Sequence, residues 1–200
     1  MTRFFRSEEA QGLVEFALIL PPLLLILVFG LVEIGNVLSV AMTMSSATRE
    51  GARVASALVN GGGALGCSAG QSPNAATVDP NVIAAVERVL VGNGSRVTLA
   101  DLSQIRIAKA TATGAETAGL VNTWNYQLNG GPVIDGQQLD FVPASQPWLA
   151  CSRNNAPPAD SAVITISYTY RGRTPLRMLI PFFDQFTMGD RTVMAMNANR

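Results

Sequence analysis

The chain has 200 residues, a formal net charge of zero and no histidine. That length accommodates one domain plus an anchor. The balanced charge gives no reason to expect nucleic acid or an anionic surface as partner. The missing histidine removes the commonest general base and the commonest metal ligand.

Charged residues make up 14% of the chain, against about 25% in a typical soluble domain. The deficit is uneven, because no charge occurs between Phe16 and Val32. Residues 1–12 are polar and carry Arg3, Arg6, Glu8 and Glu9. The apolar run from Leu13 to Val32 then meets the roughly 20 residues that a membrane-spanning helix needs. Helical periodicity continues through Glu33, Ile34, Val37, Val40, Met44 and Ala47 and extends the helix to about Val59. At 1.5 Å per residue such a helix is ~70 Å long, more than twice the hydrocarbon thickness. Its second half must stand in water or pack on protein. Pro21 and Pro22 lie inside the span, where a kink is expected. Arg3 and Arg6 precede the span closely and Arg49 and Arg53 follow it at a distance, which favours a cytoplasmic N-terminus.

Glu15 is the informative residue, a carboxylate two residues into the apolar run. It either snorkels to the headgroups or pairs with a cation on a neighbouring chain, because a charge deep in the bilayer costs roughly 2.5–3.5 kcal/mol. Small residues recur along the upper helix at Val37, Ala41 and Ser45 and at Thr48, Ala52 and Ser56. That stripe suits either close packing of neighbouring helices or packing on the chain's own domain. Glu50 and Arg53 are spaced to pair. Glu33, with Arg49 and Arg53, marks where the helix meets the headgroups and the domain.

Three motifs carry a family resemblance: Val14-Glu15-Phe16-Ala17-Leu18 with Pro21, then Gly30-Leu31-Val32-Glu33-Ile34-Gly35, then Ala47-Thr48-Arg49-Glu50-Gly51-Ala52-Arg53. Over about residues 10–57 the chain resembles the TadE-like family of pilus assembly proteins, minor pseudopilins of tight-adherence (Tad/Flp) systems. The resemblance implies a bacterial inner-membrane protein with its C-terminal domain outside the cytoplasm. It implies as partners the lipid bilayer, other pilus-system membrane subunits and a prepilin peptidase. A cut placing Glu15 fifth in the mature chain falls between Ala10 and Gln11, with alanine where the family's usual residue is glycine. Glu15 would then pair with a neighbouring subunit's new N-terminus.

After the helix, Asn60-Gly61-Gly62-Gly63 opens a Gly/Ser-rich linker over residues 60–78. Gly61, Gly63 and Gly66 satisfy GxGxxG in letter only. A dinucleotide site needs a strand before the motif and a helix after it, and here the motif follows a helix. Cys67 and Cys151 are the two cysteines. Beyond a membrane anchor they suit a disulfide, worth roughly 4–5 kcal/mol on the chain-entropy picture; the alternative is two buried free thiols.

Residues 79–200 read as the extracytoplasmic domain. Asp79 and Pro80 open a short helix as N-cap and first-turn residue, and Gly92-Asn93-Gly94 stops it. Strands are expected around Ile105, Ile107 and Ala108, over 121–128, over 163–170 and over 186–196. The apolar stretch 175–183 is a short helix or a loop near the membrane surface. The expected fold class is α+β: a long N-terminal transmembrane and stem helix, followed by a small domain with an antiparallel sheet and a short helix. No GxSxG, P-loop, HExxH or SxxK motif occurs. Asp135, Asp140 and Asp160 lack calcium-loop spacing. The expectation is therefore a non-enzyme without metal or cofactor. Its leading role is a pilus assembly component or minor pseudopilin; the alternative is a membrane-tethered extracellular binding protein or adhesin.

Overall fold

The computed structural model describes residues 7–58, 75–155, 157–178 and 180–196. Helix α1 runs over Ser7–Ala57 and helix α2 over Ala75–Leu90. Among the described residues seven strands follow: β1 Leu102–Ala110, β2 Glu116–Tyr126, β3 Val133–Ile134, β4 Gln137–Gln138, β5 Phe141–Ser145, β6 Ser161–Arg171 and β7 Gln185–Ala195. The fold is α+β, as the sequence pattern requires.

Packing divides the chain into two compact units, residues 1–37 with 171–186 and residues 38–170 with 187–196 of the described chain. The division falls inside α1, which is continuous through Pro21 and Pro22. A proline removes one donor and crowds the preceding turn, so at these positions the expectation is a bend, and the helix does not end there.

The larger unit is built on a five-stranded sheet in the order β5-β2-β1-β6-β7, beside a small β3-β4 hairpin. β1 pairs antiparallel with both β2 and β6, placing Ile105 between Trp124 and Ile166, and Ile107 between Asn122 and Ile164. These side chains are buried together with Tyr168 and Tyr170. Each large apolar side chain so buried stabilises the fold by roughly 1.5–3 kcal/mol. At the β2–β5 edge Tyr126 stands opposite Phe141, their rings edge-to-face with centroids 5.9 Å apart. The strand of cleanest alternation in the sequence, 163–170, is the core of β6.

The upper part of α1 packs on this unit. Val40, Met44, Ala47, Thr48, Gly51, Ala52, Ala55 and Ser56 are buried, at the three- and four-residue steps that form one helix face. Gly51 sits where the helix approaches closest: a Cβ there would fall 2.5 Å from Val86 Cγ2 and 3.4 Å from Ile164 Cγ2. The Thr48 hydroxyl donates to the Asp190 carboxylate and lies 3.0 Å from the Thr192 hydroxyl. Ser56 donates to Met194 Sδ at 3.2 Å. The small-residue stripe Thr48, Ala52, Ser56 thus packs on the chain's own domain. Val37, Ala41 and Ser45 are only partly covered.

One local expectation differs from the structure. α2 begins at Ala75, so Asp79 is not an N-cap and Pro80 lies within the helix. The 175–183 stretch, expected as a short helix or a loop, carries two 3-10 turns, Pro175–Met178 and Pro181–Phe183. The turn expected at Gly92-Asn93-Gly94 is present, with Gly94 at φ +83°.

Candidate anchor helix and the Glu33 cradle

The lower half of α1 is apolar on every side. Over Gly12–Val28 every described side chain is exposed except that of Leu20, which is partly covered. The helix from Gly12 onward is long and apolar enough to cross a membrane, with a mean hydropathy of 2.6 in its best window and 6% of that window buried. A helix hydrophobic all round needs an apolar surrounding. It fits a single-pass membrane protein.

Glu15 lies on this exposed stretch. Ala10 and Gln11 belong to the first turns of α1. Gly30 and Gly35 lie farther up the same helix. A Cβ at Gly30 would make ordinary contact with Leu176 at 3.9 Å, and at Gly35 it would meet nothing within 4 Å.

Glu33 is different. It follows 17 uncharged positions, from Phe16 to Val32, yet its side chain is fully buried. Its carboxylate is held by the segment between β6 and β7. Oε1 accepts from the Arg173 amide at 3.0 Å, and Oε2 accepts from Arg173 at 3.3 Å and from Thr174 at 2.9 Å. Two successive backbone N–H groups aimed at one carboxylate make an anion-binding concavity. Such charge-assisted bonds offset much of the penalty of burying the carboxylate.

The segment is shaped to do this. The Gly172 amide donates to Asp184 O at 3.0 Å, closing the loop. A Cβ at Gly172 would fall 2.0 Å from Phe183 O, so the closure requires glycine. Leu176 is buried in the same unit. The Ile180 amide donates to Leu176 O at 2.8 Å and the Phe183 amide to Ile180 O at 3.0 Å, which stitches the two 3-10 turns. The sequence singled out both Glu33 and the 175–183 stretch; what it did not reveal is that Glu33 accepts from the two amides just before that stretch.

The remaining motif residues divide by role. Glu50 and Arg53 form the expected pair, with Arg53 donating to both carboxylate oxygens at 2.8 and 2.6 Å. The pair is exposed on the arginine side and contributes little stability. Arg49 is exposed and Gly51 is buried at the helix–domain contact.

A second polar cluster, in the larger unit, was not read from the sequence as a cluster. Arg153 is fully buried and meets Asp79 Oδ1 at 2.7 Å as an ion pair, while the same Nη2 donates to Asp79 Oδ2 at 2.9 Å and to Trp148 O at 3.1 Å. Asn122 Nδ2 donates to Asp79 Oδ2 and to Trp148 O, both at 2.7 Å, and its Oδ1 accepts from the Trp148 amide at 2.8 Å. The guanidinium lies 4.4 Å from the Trp148 ring centroid. This network pins α2 to β2 and to the 148–153 loop. The available signal was that Arg153 is the lone charge between Asp140 and Asp160.

Of the three loop aspartates, Asp160 pairs with Lys109 at 2.7 Å, Asp140 accepts from the Asn129 amide at 2.7 Å, and Asp135 stays exposed. Cys151 sits in the 150–152 turn; its expected partner Cys67 lies outside the described residues. The same holds for Gly61, Gly63 and Gly66. Among the described residues no group of three or more His, Cys, Asp or Glu is placed to hold a metal ion.

No curated protein and no solved structure matches the chain. A family model, that of TadE-like proteins, matches residues 10–53, the part of the helix that carries Glu15, Glu33 and Gly51.

Proposed function

We propose that the protein is an assembly component or minor pseudopilin of a Tad/Flp-type pilus system. In this reading it is anchored in the bacterial inner membrane with a cytoplasmic N-terminus and an extracytoplasmic domain. The observation that carries the proposal is the TadE-like match over residues 10–53, on a helix whose lower half exposes apolar side chains all round. Arg3 and Arg6, close before the span, support the orientation.

The work of such a protein is association rather than chemistry. Its lower helix packs among lipids and other pilus-system membrane subunits, and its upper helix carries the domain. Glu15 pairs with a cation on a neighbouring subunit, because a carboxylate among apolar side chains gains most from a partner in a low-dielectric surrounding. A prepilin peptidase cut between Ala10 and Gln11 would supply such cations as new N-terminal amines. A Cys67–Cys151 disulfide would tie the linker to the 150–152 turn.

The test is immunoprecipitation of the protein from crosslinked membranes, alongside a Glu15→Ala variant. The expected result is co-recovery of pilus-system subunits from the parent. The variant should insert normally and assemble at least tenfold fewer pili, about 1.4 kcal/mol at one contact. Recovery without any pilus subunit removes the assembly reading. Unchanged piliation in the variant removes the pairing role of Glu15.

A further inference from the structure

We infer that the 171–186 segment, held by Glu33, is a headgroup-binding hook that seats the protein on anionic phospholipid at the bilayer surface. The inference rests on the membrane-anchor reading of α1 and adds a lipid class and a set of contact residues to it.

Depth is the first support. Residues 12–32 are apolar but for Glu15 and are exposed or partly covered, and at 1.5 Å per residue they span ~30 Å, the thickness of a hydrocarbon core. Glu33 is therefore at the level where hydrocarbon gives way to headgroups. Its bonds to the Arg173 and Thr174 amides fix the segment at that level, as does the nearness of Leu176 to Gly30.

Charge is the second. Over residues 171–186 there are three arginines, Arg171, Arg173 and Arg177, against one acid, Asp184, and they still outnumber the acids when the Glu33 carboxylate bound to the segment is included. All three arginine side chains are exposed. The zero net charge of the whole chain conceals this local excess. Arginine presents a planar fork that matches phosphate oxygens, and an anionic leaflet favours basic groups held within a Debye length.

Apolar exposure is the third. Met178, at the end of the first turn, is 80% exposed, and Ile180, just before the second, is 37% exposed. Arginines beside outward-facing apolar side chains are the composition of a surface lying in a membrane interface. An acidic protein partner would use the arginines but would leave Met178 and Ile180 without an apolar phase to enter.

The full chain in lipid nanodiscs provides the test. A Met178→Trp variant is read by quenching from lipids brominated near the headgroup end of the tail, as a difference from the parent, which already contains Trp124 and Trp148. Leu25→Trp reports the span itself with lipids brominated near the tail end. Both new tryptophans should be quenched. Hydrogen exchange of amides 174–183 should slow on the order of tenfold when phosphatidylglycerol is added to zwitterionic discs. An Arg171→Gln/Arg173→Gln/Arg177→Gln variant should lose that slowing. A quenched Leu25→Trp with an unquenched Met178→Trp overturns the hook and leaves the anchor standing; neither quenched overturns both. Equal slowing by inorganic phosphate in zwitterionic discs, or slowing that survives in the triple variant, overturns lipid as the ligand.

Discussion

The two halves of α1 are one helix in two surroundings. Residues 12–28 expose nearly every side chain, whereas residues 40–56 bury a continuous face against β6, β7 and α2. Helical form alone does not separate them, since α1 is continuous over both. Periodicity does: the lower half is apolar all round, and the upper half keeps Met42, Arg49 and Arg53 outward while Val40, Met44 and Ala47 turn inward. A helix with one dry face folds against its own chain; a helix with none needs a different solvent.

The glycines sharpen that contrast most. Gly51→Val should destabilise the larger unit by about 2–4 kcal/mol, because the added Cβ alone meets Val86 at 2.5 Å and overpacked sites commonly lose 1–3 kcal/mol or more. Gly35→Val, with open space at its Cβ, should leave stability within about 1 kcal/mol. Chemical denaturation of both variants in the same detergent measures the difference. Equal losses would mean that the lower helix is also packed against something specific.

Glu33 provides a smaller, local effect. Glu33→Ala removes the acceptor for two backbone amides and should weaken the hold on the 171–186 segment by roughly 2–3 kcal/mol. Hydrogen exchange at Arg173 and Thr174 should accelerate some 30- to 100-fold, with the β1 and β6 amides unchanged. Acceleration spread over the sheet would show that the two units do not open separately.

The smallest expected effect depends on pH. Burial raises the Glu87 carboxyl above its usual range, opposed by the Asp140 amide that donates to it and reinforced by the nearby Asp140 carboxylate. A raised carboxyl means that the folded state holds the proton more tightly than the unfolded chain. Its stabilising contribution is complete below the unfolded value of about 4.3 and is lost as pH rises through the higher folded value. Glu87→Gln should therefore gain on the parent between pH 4 and pH 7, read as a shift in urea midpoint. A constant difference across that range would remove Glu87 from the pH profile.

What the sequence made legible was whatever repeats. The apolar run, the alternation in 163–170 and the strands near Ile105, Trp124 and Thr192 are periodic, and each is an element in place. What it concealed depends on partners distant in the chain. Asp79 before Pro80 has the local form of a helix start. Buried pairing with Arg153 gives Asp79 a different role, and the helix begins at Ala75. β5, with Pro143 inside it, has too little alternation to stand out and is defined by pairing with β2. Glu33 was visible as a charge at the end of an apolar run, but its acceptor role depends on backbone amides, which no side-chain pattern reports.

That last contact also sets an order of events during synthesis. Glu33 and the Arg173 amide are 140 residues apart, so at 5–20 residues per second roughly 7–28 s separate their emergence. During that interval the carboxylate has no cradle and must stay hydrated. A hydrated charge at the end of the apolar run resists being drawn into hydrocarbon, and so fixes how far the helix can slide before the domain exists. Once residues 171–186 arrive, the charge that acted as a stop becomes the clasp that holds them.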